Sequence, residues 1–156
     1  MRIMLDTNIY DWIIETPEMV KRLKQLSEEN KLVILCTHIQ EDELANIPNE
    51  KRTAITEIKE ILKKVPTNGA VYDVSRYGEA TYDDGGTCGI GISDIRSSKK
   101  REKHVHDALI ATTAARYADV LVTEDKRLAK RMGEASTPCR VWSFAEFKEY
   151  VFQQLK

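Results

Sequence analysis

Short apolar runs alternate along the chain with longer segments in which apolar residues recur every three or four positions. The short runs span residues 2–5, 32–36, 119–123 and 139–142. They do not alternate apolar with polar residues as a half-exposed strand does, which is typical of strands that are buried on both faces. The periodic segments predict helices at residues 16–30, 38–47, 49–64, 103–117, 126–132 and from Ser143 onward. This alternation predicts a three-layer α/β/α fold with a central parallel sheet of four to five strands, in one domain over residues 1–156.

Local signals mark several helix ends. Pro17 suits a first helical turn, Asn30 suits a helix stop, and Ser143 with Glu146 forms a capping box. We expect Gly133 to close the helix that begins at Lys126.

The segment between the helices at 49–64 and 103–117 is less regular. Residues 70–74 are a weaker strand candidate and residues 76–82 a helix candidate. Four of the seven glycines fall within residues 85–91, which predicts a mobile loop over about 83–95.

Composition narrows the class of protein. Apolar residues make up 42% of the 156 residues and charged residues 31%, which is typical of a globular domain. The net charge of −1 means that any nucleic-acid surface has to be a local patch. The longest aliphatic runs are too short to cross a membrane, and Asp6 comes too early for a signal peptide, so we expect a cytoplasmic protein.

The cysteines fit a reducing compartment. Cys36, Cys88 and Cys139 are odd in number, far apart and form no Cys-x-x-Cys pair. This pattern predicts free thiols and argues against a disulfide framework or a zinc site.

Acidic residues follow two of the predicted strands. Asp6 ends the first strand and Asp125 comes just after the strand at 119–123, so both should emerge at the same edge of a parallel sheet. Glu43 and Asp107 lie in helices that begin near that edge. Such a cluster of carboxylates is unfavourable without a cation. Oxygen ligands favour Mg²⁺ or Mn²⁺, which activate water for phosphodiester hydrolysis.

Each acid also has a structural interpretation. Glu43, Asp107 and Asp125 could serve at helix N-termini, where acidic residues are common. Asp6 is harder to explain in this way, because an acid at the end of a buried first strand has little structural purpose. The combination of four acids therefore carries more weight than any one of them.

These residues resemble the motifs of PIN-domain ribonucleases. Leu5-Asp6-Thr7-Asn8 is similar to the family's opening motif, and residues 36–44, 106–114 and 120–125 are similar to its second, third and fourth motifs. The resemblance covers nearly the whole chain in order and spacing. It implies a Mg²⁺- or Mn²⁺-dependent endoribonuclease, often a VapC-type toxin with RNA as its substrate, an antitoxin protein as its partner and a homodimer as its assembly.

The resemblance also assigns residues. It implies that Asp6, Glu43, Asp107 and Asp125 are both the catalytic acids and the metal ligands. Asn8 and Thr123 would orient carboxylates or waters around them. Glu43 is chosen over its acidic neighbours Glu41 and Asp42 because it directly precedes Leu44.

Basic residues flank the predicted site and are candidate contacts to the RNA backbone, namely Arg96, Lys99, Lys100, Arg101, Lys103, Lys126 and Arg127. An ordinary solvated surface is the alternative for either run. His104 and His106 are expected at the surface of a helix start and not as ligands. Trp12 and Trp142 are expected in the core or in a dimer contact.

Other classes fit less well. A haloacid-dehalogenase-type phosphatase needs a second Asp two residues after the first, where this chain has Asn8. A receiver domain needs an Asp at the end of a middle strand, where this chain has Cys36 and Thr37. The remaining alternative is a PIN fold used as a non-catalytic module that binds RNA or a protein. The loss of a metal-site acid would favour that module, yet all four acids are present.

Overall fold

A computed structural model gives the fold and describes residues 1–68, 80–81, 99–135 and 137–154, with side chains described outside 80–81 and 99–104. The strands are β1 (Arg2–Leu5), β2 (Val33–Cys36), β3 (Leu62–Lys64), β4 (Thr67–Asn68), β5 (Ala80–Thr81), β6 (Val120–Val122) and β7 (Arg140–Trp142). The helices are α1 (Thr7–Ile14), α2 (Pro17–Glu28), α3 (His38–Ala45), α4 (Arg52–Lys59), α5 (Lys99–Tyr117), α6 (Lys126–Glu134) and α7 (Phe144–Gln153). A 3₁₀ turn at Asn49–Lys51 precedes α4.

Five of these strands form one parallel sheet in the order β3–β2–β1–β6–β7. The chain builds β1, β2 and β3 outward in one direction and then returns to place β6 on the other side of β1. In parallel sheets a ligand site lies beyond the carboxyl ends of the strands where this direction reverses. The reversal therefore points to the edge formed by the ends of β1 and β6.

Helices cover both faces of the sheet, as the pattern of buried residues predicts. Ile3 and Leu5 of β1 share a core with apolar residues of α1, α2, α4 and α7, while Met4 belongs to a second core with α5 and α6. Successive residues of a strand point to opposite faces, so a strand that is apolar throughout serves both cores. The fold is thus the three-layer α/β/α arrangement expected from the sequence.

Several local expectations are confirmed. Asn30 adopts a left-handed conformation with φ 55° just beyond the end of α2. Ser143 and Glu146 form the predicted capping box of α7. Cys36 and Cys139 are buried free thiols, whereas Cys88 lies outside the described residues.

Other expectations are wrong. The predicted helix at 49–64 ends at Lys59, and residues 62–64 form β3, whose lysines suit the edge of a sheet. Residues 80–81, predicted in a helix, form β5. Gly133 lies within α6 and does not close it. Helix α1 was not predicted, and α5 begins at Lys99, four residues before the predicted start.

The remaining expectations for residues 69–98 fall on a part of the chain that the structure does not describe. These are the strand candidate at 70–74 and the glycine-rich loop at 83–95. Among the described residues, no helix combines the length and apolar character needed to cross a bilayer.

Gln40 connects the end of β1 to the start of α3. Its side chain is fully buried, its Oε1 accepts a hydrogen bond of 2.9 Å from the backbone N–H of Thr37, and its Nε2 donates to the carbonyl of Leu5. Leu5 precedes Asp6, and α3 carries Glu43. One amide side chain therefore fixes the distance between two elements that carry candidate site residues.

We expect Gln40→Leu to lower the free energy of unfolding by roughly 2–3 kcal/mol, because it leaves a buried N–H and a buried carbonyl without partners. Gln40→Glu keeps the acceptor for Thr37 but loses the donor to Leu5, so its stability should recover at acidic pH, where the carboxyl group carries a proton. Urea denaturation measures both effects. Gln25→Leu is the matched control, because the Gln25 amide makes only an exposed contact with Glu29. Equal stability of Gln40→Leu and Gln25→Leu would contradict this role.

Candidate functional site

Asp6 lies at the carboxyl end of β1 and is 5% exposed. Its backbone N–H donates to the carbonyl of Val122 over 2.9 Å, which extends the pairing of β1 with β6. Its Oδ2 accepts a hydrogen bond of 2.8 Å from the hydroxyl of Thr123. Asp6 occupies the N-cap position of α1, but its side chain makes no capping hydrogen bond there. Helix capping therefore does not account for this buried carboxylate.

The charge of Asp6 is disfavoured by its surroundings. Burial is the largest influence and raises the pKa of Asp6 above its ordinary value. Hydrogen bonds from the Thr123 hydroxyl and the Thr7 backbone oppose this rise, while the negative charges of Asp125 and Glu43 add to it. The carboxylates of three separate elements are thus close enough for their repulsion to be felt at Asp6.

Glu43 lies on α3 with its side chain 34% exposed. One carboxylate oxygen, Oε2, accepts a hydrogen bond from the hydroxyl of Thr7, the first residue of α1. The other, Oε1, lies 3.1 Å from Nδ1 of His106 on α5. Helices α1, α3 and α5 therefore meet at this carboxylate.

Asp107 follows His106 within α5 and is half-buried. Because α5 begins at Lys99, Asp107 is in the third turn of the helix. Helix capping is consequently no explanation for Asp107. The contact of its neighbour His106 with Glu43 brings this part of α5 to the candidate site.

Asp125 has a clear structural role. It is the N-cap of α6, and its Oδ1 accepts hydrogen bonds from the backbone N–H groups of Arg127 over 2.7 Å and Leu128 over 3.2 Å. The capping interpretation thus holds for this residue. Its charge is also one of those that raise the pKa of Asp6, so capping and participation in the site are compatible.

The two predicted orienting residues differ in their placement. Thr123 is buried, donates to Asp6 and accepts a 3.0 Å hydrogen bond from the backbone N–H of Asp125, so it joins two of the acids. Asn8 is exposed on the first turn of α1. In the described part of the chain no hydrogen bond joins Asn8 to the four acids.

The predicted basic residues lie on two helices. Lys126 and Arg127 are exposed in the first turn of α6, directly after Asp125. Four others fall in the first turns of α5, namely Lys99, Lys100, Arg101 and Lys103. Arg96 lies outside the described residues.

Sequence reasoning missed two side chains that contact Glu43. His106 was expected at the surface of a helix start, yet it lies inside α5 with its side chain 23% exposed and contacts Glu43. The opening motif contains Thr7 but assigns it no role. Each of these two residues is next to a predicted site acid in the sequence, because Thr7 follows Asp6 and His106 precedes Asp107. That proximity is the signal that could have identified them.

Comparison with protein-family models, with curated proteins and with solved structures gave no match to this chain. The class of the protein is therefore defined by its fold and its site. It is a three-layer α/β/α protein with carboxylates gathered where the strand order of a parallel sheet reverses.

The donor chemistry of this site fits a hard divalent cation. All four acids offer carboxylate oxygens, and a cation would offset the repulsion that raises the pKa of Asp6. Within the described residues, no group of three or more His, Cys, Asp or Glu side chains is arranged so that it could hold a metal ion.

We expect Asp6→Asn to gain stability relative to wild type as the pH rises from about 4 to about 7 in the absence of divalent cations. The raised pKa of Asp6 means that the folded chain binds a proton more tightly than the unfolded chain. The contribution of Asp6 to wild-type stability therefore falls as the pH rises above the ordinary carboxyl value of 3.8. The Asn side chain still accepts the hydrogen bond from Thr123, and urea denaturation across this pH range measures the difference.

Asp119→Asn is the control, because we expect its stability to change with pH in the opposite direction. Hydrogen bonds from Arg2 lower the pKa of Asp119, so its charge stabilises the folded chain at neutral pH. That variant should lose stability relative to wild type as the pH rises towards the ordinary carboxyl value of 3.8, and it should show little further pH dependence above that value. The same pH dependence for both variants would contradict the assignment of Asp6.

Proposed function

We propose that this protein is a Mg²⁺- or Mn²⁺-dependent endoribonuclease of the PIN-domain type. The observation that carries the proposal is the buried carboxylate of Asp6, which makes no side-chain capping hydrogen bond at the start of α1 and is affected by the charges of Asp125 and Glu43 from two other elements. The resemblance of four sequence motifs supports the same class and adds Asp107 as the fourth acid.

The residues of the site would have different roles in phosphodiester hydrolysis. Asp6, Glu43, Asp107 and Asp125 would hold the cation through their oxygens. A bound divalent cation supplies a more acidic water and neutralises charge that develops on the phosphate. The hydroxyl of Thr123 donates a hydrogen bond to one oxygen of Asp6 and accepts one from the backbone N–H of Asp125. Thr123 therefore holds these two acids at fixed positions relative to each other.

Basic residues beside the acids support RNA as the substrate. Lys126 and Arg127 are exposed next to Asp125, and the first turns of α5 carry four more cations. A chain with a net charge of −1 needs such a local patch to attract a polyanion. Cleavage should therefore weaken as the salt concentration rises.

A non-catalytic module that binds RNA or a protein is the competing proposal. It is favoured by the absence of a preformed metal group among the described residues and by the use of Asp125 as a helix cap. The two proposals differ in whether divalent cations bind and whether RNA is cut.

We expect the purified protein to cut RNA with Mg²⁺ or Mn²⁺ and to stop in EDTA, and we expect Asp6→Asn to lower the rate on the order of 100-fold or more. Asp125→Asn and Asp125→Ala separate catalysis from capping. Both should lose activity, but only the Ala variant should also lose about 1 kcal/mol of stability, because Asn caps helices as well as Asp does. Gel assays of labelled RNA and thermal melts measure these effects. Equal cleavage by wild type and Asp6→Asn would favour the non-catalytic module.

The proposal extends to a cytoplasmic toxin of a type II toxin–antitoxin pair that acts as a homodimer. Trp12 of α1 is 44% exposed and packs edge-on against the buried Phe144 of α7 with ring centroids 5.1 Å apart, so α1 presents one exposed aromatic side chain. Aromatic residues are enriched in protein interfaces.

We expect light scattering to give twice the 17.9 kDa mass of one chain. Trp12→Lys should shift the protein towards a single-chain mass, because it replaces the exposed aromatic side chain with a charge. Lys21→Trp, at an exposed position of α2, is the control and should leave the mass unchanged. A wild-type mass of one chain at micromolar concentration would contradict the dimer.

A further inference from the structure

The exposed side of α6 carries a concentration of positive charge. Four exposed cations lie there, and we call them the α6 basic face: Lys126, Arg127, Lys130 and Arg131. The buried residues Leu128 and Met132 fall on the opposite side of the helix. The helix contains one acid, its last residue Glu134. The α6 basic face therefore has more positive charge than its own helix can balance.

The cations of this face have few ion-pair partners. Nζ of Lys130 lies 3.8 Å from Oε1 of Glu134, but the two side chains are 77% and 66% exposed, so water screens this pair strongly. Among the residues that the structure describes, the other three cations of the face form no ion pair. By contrast, Arg22 and Lys24 of α2 each pair with a carboxylate. Most of the charge on the α6 basic face is thus available to a ligand.

Helix stability does not explain where these cations stand. Lys126 and Arg127 are the first two residues of α6, where the partial positive charge of the helix N-terminus disfavours cations. Lys130 follows Lys126 by four positions and Arg131 follows Arg127 by four, so like charges neighbour each other twice. Only Arg131, in the last turn, suits the helix dipole. A ligand of negative charge would relieve this repulsion.

We propose that the α6 basic face binds the phosphate backbone of the RNA strand that enters the candidate site. The inference rests on the proposed function, because it takes RNA as the substrate. Asp125 is the N-cap of α6, so the face begins directly beside the acids. The contact with RNA then extends beyond the first turn of α6 to the second turn, which carries Lys130 and Arg131.

The spacing of the cations suits an extended polyanion. The pair in the first turn and the pair in the second turn are four residues apart, which is about 6 Å along a helix axis. A strand that lies along α6 therefore meets two pairs of cations in succession as it leaves Asp125. Contacts of Lys and Arg with phosphate supply affinity that does not depend on base sequence. RNA strands of different sequence should accordingly bind this face with similar affinity.

Binding of a labelled single-stranded RNA tests the inference on the full-length protein. Fluorescence anisotropy in EDTA, at several salt concentrations, gives the slope of the logarithm of the binding constant against the logarithm of the salt concentration. Lys130→Gln/Arg131→Gln removes the charges of the second turn, and Lys130→Arg/Arg131→Lys keeps them. Arg52→Gln/Lys59→Gln is the matched control, because it removes two exposed cations from α4, which carries no candidate site residue. Thermal melts check that each variant is folded.

We expect Lys130→Gln/Arg131→Gln to make the slope shallower by about 1.4, because each lost phosphate contact to a single strand removes about 0.7. Its affinity at about 0.1 M salt should fall by roughly tenfold. Lys130→Arg/Arg131→Lys and the α4 control should keep the slope of the wild type.

The outcomes separate this inference from the proposed function. A wild-type slope in Lys130→Gln/Arg131→Gln overturns the inference and leaves the ribonuclease in place, and so does an equal loss in the α4 control. Binding of polyglutamate with the same dependence on Lys130 and Arg131 also overturns it, because the face then takes acidic protein. The expected slopes without RNA cleavage in Mn²⁺ support the inference and overturn the ribonuclease alone. Failure of the wild type to bind RNA in EDTA overturns the inference, and failure to cut RNA in Mn²⁺ as well overturns both.

Discussion

The parallel pairing of β1 with both β2 and β6 is the constraint on which the rest of the structure depends. It places the end of β1 between the ends of its two neighbours, so Asp6 is enclosed on both sides. Thr123 follows β6 and meets Asp6 directly, while Gln40 in α3 ties the carbonyl of Leu5 to the start of that helix. The candidate site is therefore formed by residues of several elements at the edge of the sheet and not by a single loop.

Some features of the site disfavour the ionised form of Asp6 and others stabilise it. Burial and the neighbouring acids disfavour an ionised Asp6, while Thr123 and the backbone of Thr7 stabilise it. The acids also differ in their structural duties. Asp125 caps α6, Glu43 contacts Thr7 and His106, and Asp6 stands at the N-cap position of α1 without a side-chain capping hydrogen bond. Asp6 is accordingly the residue whose presence is hardest to explain by fold stability alone.

The sequence predicts most of the sheet because β1, β2 and β6 are short, mostly apolar runs with buried residues on both faces, and the partly buried edge strand β7 is also short and carries two apolar residues. It does not predict β3, because Leu62 continues the helical spacing of the preceding residues and only pairing with Ile34 makes it a strand. The positions of the acids follow from the ends of the strands. The contact between His106 and Glu43 joins residues 63 positions apart, and no local pattern reports such a pair. Contacts between side chains that are far apart in the sequence are therefore seen only in the structure.

The separation of β1 and β6 along the chain has a consequence for the order of folding. The hydrogen bond between Asp6 and Thr123 closes a span of 117 residues, whereas β1, β2 and β3 pair over much shorter spans. Contacts between distant residues form late, because closing a long loop has a larger entropic cost. Pairing of β6 with β1 buries Asp6 and brings Asp125 near it, so desolvation of the Asp6 carboxylate and its repulsion from Asp125 arise together when β6 docks. The same carboxylates that define the candidate site thus oppose the docking of β6.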